Sequence, residues 1–242
     1  MKFSPAYLLA FAPIVAAHFR LQYPTSRGFN ADTMANFPCG DLAQSSNRTQ
    51  VSLSSGSFPV ALRMGHDETA VEVLLALGND PGTNFNITLH PTFRIEGLGE
   101  FCLPNVVFDE SVLGTKITDG MNATLQVQSN GDPSGGLYAC ADIQFSTTAQ
   151  DEKPSSCTNN TGISAIAFTG AAAERNANES TADGQAQSGS SGSSSDSGSH
   201  SGHSSATQTS STTASSTAGA VALETAAWGI LGAAVVGGLA VL

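Results

Sequence analysis

Leu137-Tyr138-Ala139-Cys140-Ala141-Asp142-Ile143-Gln144-Phe145 alternates with a period of two. Cys140, Asp142 and Gln144 fall on one side, and Ala141, Ile143 and Phe145 on the other, as in a strand that shows its two faces to different surroundings. Short runs rich in β-branched and apolar residues recur at 50–53, 58–64, 70–77, 85–89, 123–128 and 163–168, and each reads as a strand. The separators Gly78-Asn79-Asp80-Pro81-Gly82 and Asn130-Gly131-Asp132-Pro133 are turn signals. No segment sustains a 3.6-residue apolar stripe, so the chain is expected to be all-β. About seven short antiparallel strands in roughly 150 residues predict a β-sandwich. Residues 29–45 are expected to form a short helix or loop near the first disulfide.

Composition narrows the function. Nine Lys and Arg against twenty Asp and Glu give a formal charge of -11 over 242 residues, so no basic surface is available for phosphates and no nucleic-acid partner is expected. The lone Trp228 lies in the apolar C-terminal tail. No phosphate-cradling loop, dinucleotide fingerprint or recognisable nucleophile motif occurs.

Both ends read as processing signals. Lys2 precedes an apolar run, 6–15, that closes on Val15-Ala16-Ala17, a secretory signal peptide over residues 1–17 with the mature chain beginning at His18. The stretch AAWGILGAAVVGGLAVL, 226–242, carries no charge and reaches the last residue, which fits the removable signal of a GPI anchor better than a spanning helix. Residues 219–242 are assigned to that propeptide, with attachment at Ser215 or Ser216, the latter preferred. The expected layout is a folded domain at 18–170 and a Ser/Thr/Gly-rich disordered stalk at 171–218, because segments such as 185–218 have too little apolar side chain to offset the entropy of ordering. His200 and His203 are read as solvated stalk residues. The protein is thus placed in the secretory pathway and held at the cell surface, on the plasma membrane or wall, by a GPI lipid.

Four cysteines, Cys39, Cys102, Cys140 and Cys157, imply two disulfides in an oxidising compartment, and sequence leaves all three connectivities open. Their wide spacing lacks the CxxC pairs of a zinc site. Sequons at Asn47, Asn86, Asn122, Asn159 and Asn178 fit a secreted glycoprotein.

Cleavage before His18 frees an α-amine on the same residue as an imidazole, so that amine and ring Nδ1 can close one chelate on a metal. Such an amine titrates at roughly 7.7–8.0, so the metal must hold nitrogen strongly, and copper(II) heads the divalent series with a preference for tetragonal nitrogen sites. A further in-plane imidazole completes a histidine brace. Within the core only His66 and His90 remain. His66 sits in a loop between two strand-like runs, whereas His90 precedes Pro91 and is expected to face solvent or cap a turn.

His18-Phe19-Arg20-Leu21-Gln22-Tyr23-Pro24, Gly65-His66-Asp67 and Leu137-Tyr138-Ala139-Cys140-Ala141-Asp142-Ile143 together resemble the fungal LPMO-like copper-binding family that includes cell-surface copper-acquisition factors. The resemblance covers roughly residues 18–170, and the stalk and tail match the family's layout. It implies an immunoglobulin-like β-sandwich related to lytic polysaccharide monooxygenases, with one copper(II) held by the N-terminal histidine, a second histidine and an aspartate, here His18, His66 and Asp142. Read without the resemblance, Asp142 would bond a backbone amide or an Arg, and Asp67 and Glu68 are alternative partners near His66.

The preferred function is therefore a non-catalytic copper(II)-binding protein acting in copper acquisition or homeostasis, with a plasma-membrane copper transporter as a candidate recipient. The alternatives are a copper-dependent polysaccharide monooxygenase, disfavoured by the absence of Trp and by only Tyr23 and Tyr138 as tyrosines in the mature domain, and a structural GPI-anchored wall glycoprotein in which His18 is incidental.

Overall fold

The alternating stretch becomes the interior of one long strand in a computed structural model that describes residues 18–151 and 153–188. The expected signal peptide, residues 189–218 of the stalk with His200, His203 and Ser216, and the GPI propeptide lie outside the described residues. Nine strands occur among the described residues: β1 (Phe19–Tyr23), β2 (Thr49–Ser52), β3 (Ser57–Met64), β4 (Glu68–Leu77), β5 (Ile87–Glu96), β6 (Gly99–Val107), β7 (Asn122–Asn130), β8 (Gly136–Ser146) and β9 (Ser164–Ala167). They form a three-stranded sheet, β1-β3-β6, and a six-stranded sheet, β2-β8-β7-β4-β5-β9. The all-β reading holds, and β1 and β6 add to the strands read from sequence. One pair departs from the antiparallel pattern: β2 runs parallel to β8, Thr49 opposite Ile143. The connection from β1 to β2 crosses the outer face of the six-stranded sheet, so β2 arrives in the direction of β8.

The inner faces interdigitate. Val60, Leu62 and Met64 of β3 meet Val71, Val73 and Leu75 of β4 and Ala141, Ile143 and Phe145 of β8 within one core. Each large apolar side chain so buried contributes about 1.5–3 kcal/mol relative to exposure. Disulfides join Cys39 to Cys140 and Cys102 to Cys157, which selects one of the three connectivities. The first ties the 24–48 connection to β8; the second ties β6 to the segment after β8.

The outer face of the six-stranded sheet is polar and yet buried. Glu72, Thr124, Gln126, Gln128 and Asp142 are all shielded from solvent. Two covers account for this. The 24–48 connection, mostly loop with a single 3-10 turn at Cys39–Asp41, lies over Asp142 and Gln126, with the Cys39 N–H donating to Gln126 Oε1 at 3.1 Å. The second cover is residues 171–188, a segment expected to begin the stalk. It holds a short helix α2 (Ala171–Glu174) and a 3-10 turn (Ala177–Glu179), and Ala177 and Ser180 are fully buried. Glu72 Oε2 accepts from Gln128 Nε2 at 2.6 Å and from the Ala177 N–H at 3.1 Å. A reading that seeks apolar periodicity does not find this segment, because polar pairing to the sheet is what seats it.

Burial pushes the Glu72 carboxyl up, the charge of Glu179 adds to that, and the hydrogen bonds from Gln128 and Ala177 only partly oppose it. A raised folded pKa means that this group's stabilisation is complete below its unfolded value, roughly 4.3, and is lost as pH rises through the folded one. Glu72→Gln retains an oxygen acceptor and removes the charge. Its melting temperature is expected to exceed that of the parent protein near pH 7 and to converge with it near pH 4, as read by thermal unfolding across that range.

Candidate metal centre

β1 and β3 pair antiparallel with Phe19 opposite Met64, so the residue before β1 and the residues after β3 meet at one end of the sheet. The Gly65 N–H donates to the His18 carbonyl at 3.1 Å, and His66 is the next residue. A β-carbon on Gly65 would overlap the His18 carbonyl oxygen, so this close approach requires glycine. Strand register thus brings the His18 backbone beside Gly65, the residue before His66.

Hydrogen bonds select the tautomer of each ring. His18 Nε2 lies 3.2 Å from the Ala31 carbonyl. A carbonyl only accepts, so Nε2 carries the proton and the lone pair is left on Nδ1, the ring atom nearer the residue's own backbone nitrogen. His66 Nδ1 lies 3.0 Å from the Glu68 carbonyl and 3.3 Å from Asp67 Oδ1, so it is the donor and Nε2 keeps its lone pair. Among the described residues each imidazole therefore has one anchored N–H and one open nitrogen, the arrangement that orients histidine toward a metal. Phe29 meets the His18 ring edge-on at 6.0 Å, and the Arg20 guanidinium lies 3.9 Å over the Phe29 ring.

His66, Asp67 and Glu68 form one wall of a groove of about 500 Å³ whose other walls come from Asn130, Gly131 and Asp132 and from Thr181 and Gln187. Asp132 belongs to a stretch read from sequence only as a turn; its position against His66 follows from the β4–β7 pairing, in which Val71 faces Ser129. Among the described residues no three His, Cys, Asp or Glu side chains form a ready metal cluster. The nitrogen donors that could hold a metal here are His18 Nδ1 and His66 Nε2, the ring atoms left by the bonds to Ala31 and Glu68.

Asp142 is placed elsewhere. It faces outward from β8, opposite Thr124 of β7, beneath the 24–48 connection. Arg27 binds it through two hydrogen bonds, Nε to Oδ2 at 2.9 Å and Nη2 to Oδ1 at 2.8 Å; the Ser45 N–H donates to Oδ2 at 2.7 Å and the Thr124 hydroxyl to Oδ1 at 2.8 Å. Both oxygens are thus occupied by donors. Asp142 thus stands in an Arg- and amide-bound arrangement beneath the 24–48 connection, outside the groove that His66 lines. Burial alone would push its carboxyl up, but Arg27, Ser45 and Thr124 outweigh burial and hold it below the usual carboxylate range. His90 lies within β5, its Nδ1 donating to the Pro91 carbonyl at 2.8 Å and its ring 4.5 Å from that of Phe93, and takes no part in the groove.

The profile of the BIM1-like copper acquisition factor domain matches residues 16–162. The chain is 32% identical over 174 residues to a lytic polysaccharide monooxygenase-like protein X325 of Yarrowia lipolytica, covering 67% of this chain and 63% of that protein. It is 30% identical over 189 residues to the monooxygenase-like protein ham-7 of Neurospora crassa, covering 68% and 81%. With the copper acquisition factor BIM1 of Cryptococcus neoformans var. grubii it shares 32% over 153 residues, 59% of this chain and 66% of that one.

Asp142→Asn leaves the Arg27 guanidinium buried without its counter-charge, and is expected to cost about 3–5 kcal/mol in denaturant unfolding. Because the folded pKa of Asp142 is depressed, its contribution is present above the unfolded value, roughly 3.9, and is lost as pH falls through the folded one. The parent protein should therefore lose stability more steeply than the Asn variant as pH falls below about 4.

Proposed function

This chain belongs to the BIM1-like copper acquisition factor family, and on that premise we propose that it is a copper(II)-binding protein of the cell surface, acting in copper acquisition or homeostasis rather than in polysaccharide oxidation. The observation that carries the proposal is the pair of histidines at the edge of the fold, His18 with Nδ1 open and His66 with Nε2 open. With the leader removed before His18, the α-amine and His18 Nδ1 chelate one copper ion and His66 Nε2 supplies the third nitrogen. The acidic partner in this reading is Asp132 rather than Asp142, since Asp67 is engaged with the His66 ring and Asp132 stands across the same groove. Its negative charge favours copper(II) over copper(I) and fits a protein that holds the ion for delivery. Copper is cargo in this reading, received from outside and passed to a plasma-membrane transporter, while a GPI lipid keeps the domain at the membrane or wall.

The sequons divide by environment. Asn47 and Asn86 are exposed, whereas Asn178 donates through Nδ2 to the Tyr138 hydroxyl at 3.2 Å, the nitrogen that a glycan would occupy. Glycopeptide mapping of the secreted protein is expected to find Asn47 and Asn86 modified and Asn178 bare.

Copper(II) titrated against a competing chelator into protein that begins at His18 should bind one to one. An added Ala before His18, or His66→Ala, should weaken binding by 100-fold or more, and Gly65→Ala should weaken it by displacing the His18 backbone. Equal binding by the natural and extended N-termini would overturn the brace. Oxidised oligosaccharides released from chitin or cellulose only with copper and reductant would move the assignment to a monooxygenase.

A further inference from the structure

Asp142, bound by Arg27 and Ser45, closes a loop that reaches His18. Its Oδ2 binds both Arg27 and the Ser45 N–H, residues near the two ends of the 24–48 connection, and Arg27 Nη1 donates across the same segment to the Leu42 carbonyl at 3.2 Å. The Arg27 N–H is fixed in turn to the Cys140 carbonyl at 2.8 Å. Between these pinned points lie Phe29, whose ring edge meets His18, and Ala31, whose carbonyl takes the His18 Nε2 proton. The side chains of Asp142 and Arg27 are 0% and 8% exposed, so water does not readily substitute for either partner.

We infer that the buried Asp142–Arg27 pair is the positioning element of the copper site: it holds the 24–48 connection so that the Ala31 carbonyl keeps the proton on His18 Nε2 and leaves Nδ1 open to the metal. The inference rests on the brace reading of His18. It assigns to Asp142 a role at one remove from the metal, where the family resemblance implied direct ligation. If the connection loosens, the Ala31 carbonyl no longer selects the tautomer, the His18 ring reorients, and copper must meet the energetic cost of ordering it.

The two roles of Asp142 make opposite predictions for Arg27. If Asp142 were a ligand masked by its counter-charge, Arg27→Gln would release the carboxylate and keep or tighten copper binding. If it positions, Arg27→Gln and Asp142→Asn behave alike. Arg27→Lys keeps the charge but loses the fork that binds both oxygens, and should fall between them and the parent.

The test uses the full chain secreted through its own leader, with copper(II) alone as probe, competitive titration from pH 5.5 to 8 and continuous-wave EPR at each pH. Asp142→Asn and Arg27→Gln are both expected to lower copper affinity about 10–100-fold, the range typical of residues that orient a metal ligand. Both should broaden or split the copper hyperfine pattern. Val60→Ala, in the fully buried core on β3, serves as a variant that loses stability without touching the connection, and should keep the parent spectrum and pH profile. Should Asp142→Asn fail to fold, Arg27→Lys carries the same comparison. The inference is overturned if the Arg27 variants keep parent affinity and spectrum, if Arg27→Gln binds copper more tightly, or if Val60→Ala reproduces the changes. The brace reading beneath it fails separately, through unchanged binding when an Ala precedes His18.

Discussion

The carboxylate of Asp142 turns away from the core, and what surrounds it organises one whole side of the molecule. A sandwich needs only its inner faces to be apolar, and an outer face normally meets water. Here the outer face of β8, β7 and β4 carries Asp142, Thr124, Gln126, Gln128 and Glu72, all buried. Each must find donors or acceptors in the covering chain, because an unpaired buried charge or amide is costly. Asp142 supplies the strongest such demand, and Arg27, Ser45 and Thr124 answer it. The disulfide Cys39–Cys140 reinforces the same contact from the next outward-facing position of β8.

The opposite requirement governs the edge where the histidines meet. There the sheet brings backbone close to backbone, His18 against Gly65, and the side chains are left half-exposed with one nitrogen each uncommitted. The covering connection and the histidine edge are therefore linked physically: the segment that neutralises the outer face also presents the carbonyl that meets the His18 ring. The Glu72 side of the sheet is covered in the same manner by residues 171–188, whose Gln187 binds the Gly135 N–H and carbonyl and thereby supports the turn that carries Asp132. The 171–188 cover ends at the groove beside His66, and the 24–48 cover reaches the His18 ring through Ala31.

Membership of the BIM1-like family joins this chain to relatives named for copper acquisition and for likeness to lytic polysaccharide monooxygenases. Physical chemistry supports the acquisition reading through charge: the carboxylates Asp67, Glu68 and Asp132 crowd one groove, and an anionic surround favours the doubly charged ion. The fold itself contributes two carbonyls, of Ala31 and Glu68, that fix the proton on each histidine ring.

Alternation at 137–145 and its echoes along the chain determined an all-β sandwich, since a period of two admits no other regular element. Four cysteines determined two disulfides, and His18 with His66 stood out because few histidines lie in the core. The sequence left three matters to tertiary structure. Which cysteines pair depends on strand order, which no spacing encodes. The partner of Asp142 could not be read from its neighbours in sequence, because Arg27 lies 115 positions away and reaches it only when the 24–48 connection crosses the sheet. Residues 171–188 read as the start of a stalk because they lack apolar periodicity, but long-range polar contacts to Glu72 and Gln128 seat them. Local pattern is set by which faces are apolar; partners across the fold are set by what a buried charge requires, and that is visible only once the strands are assembled.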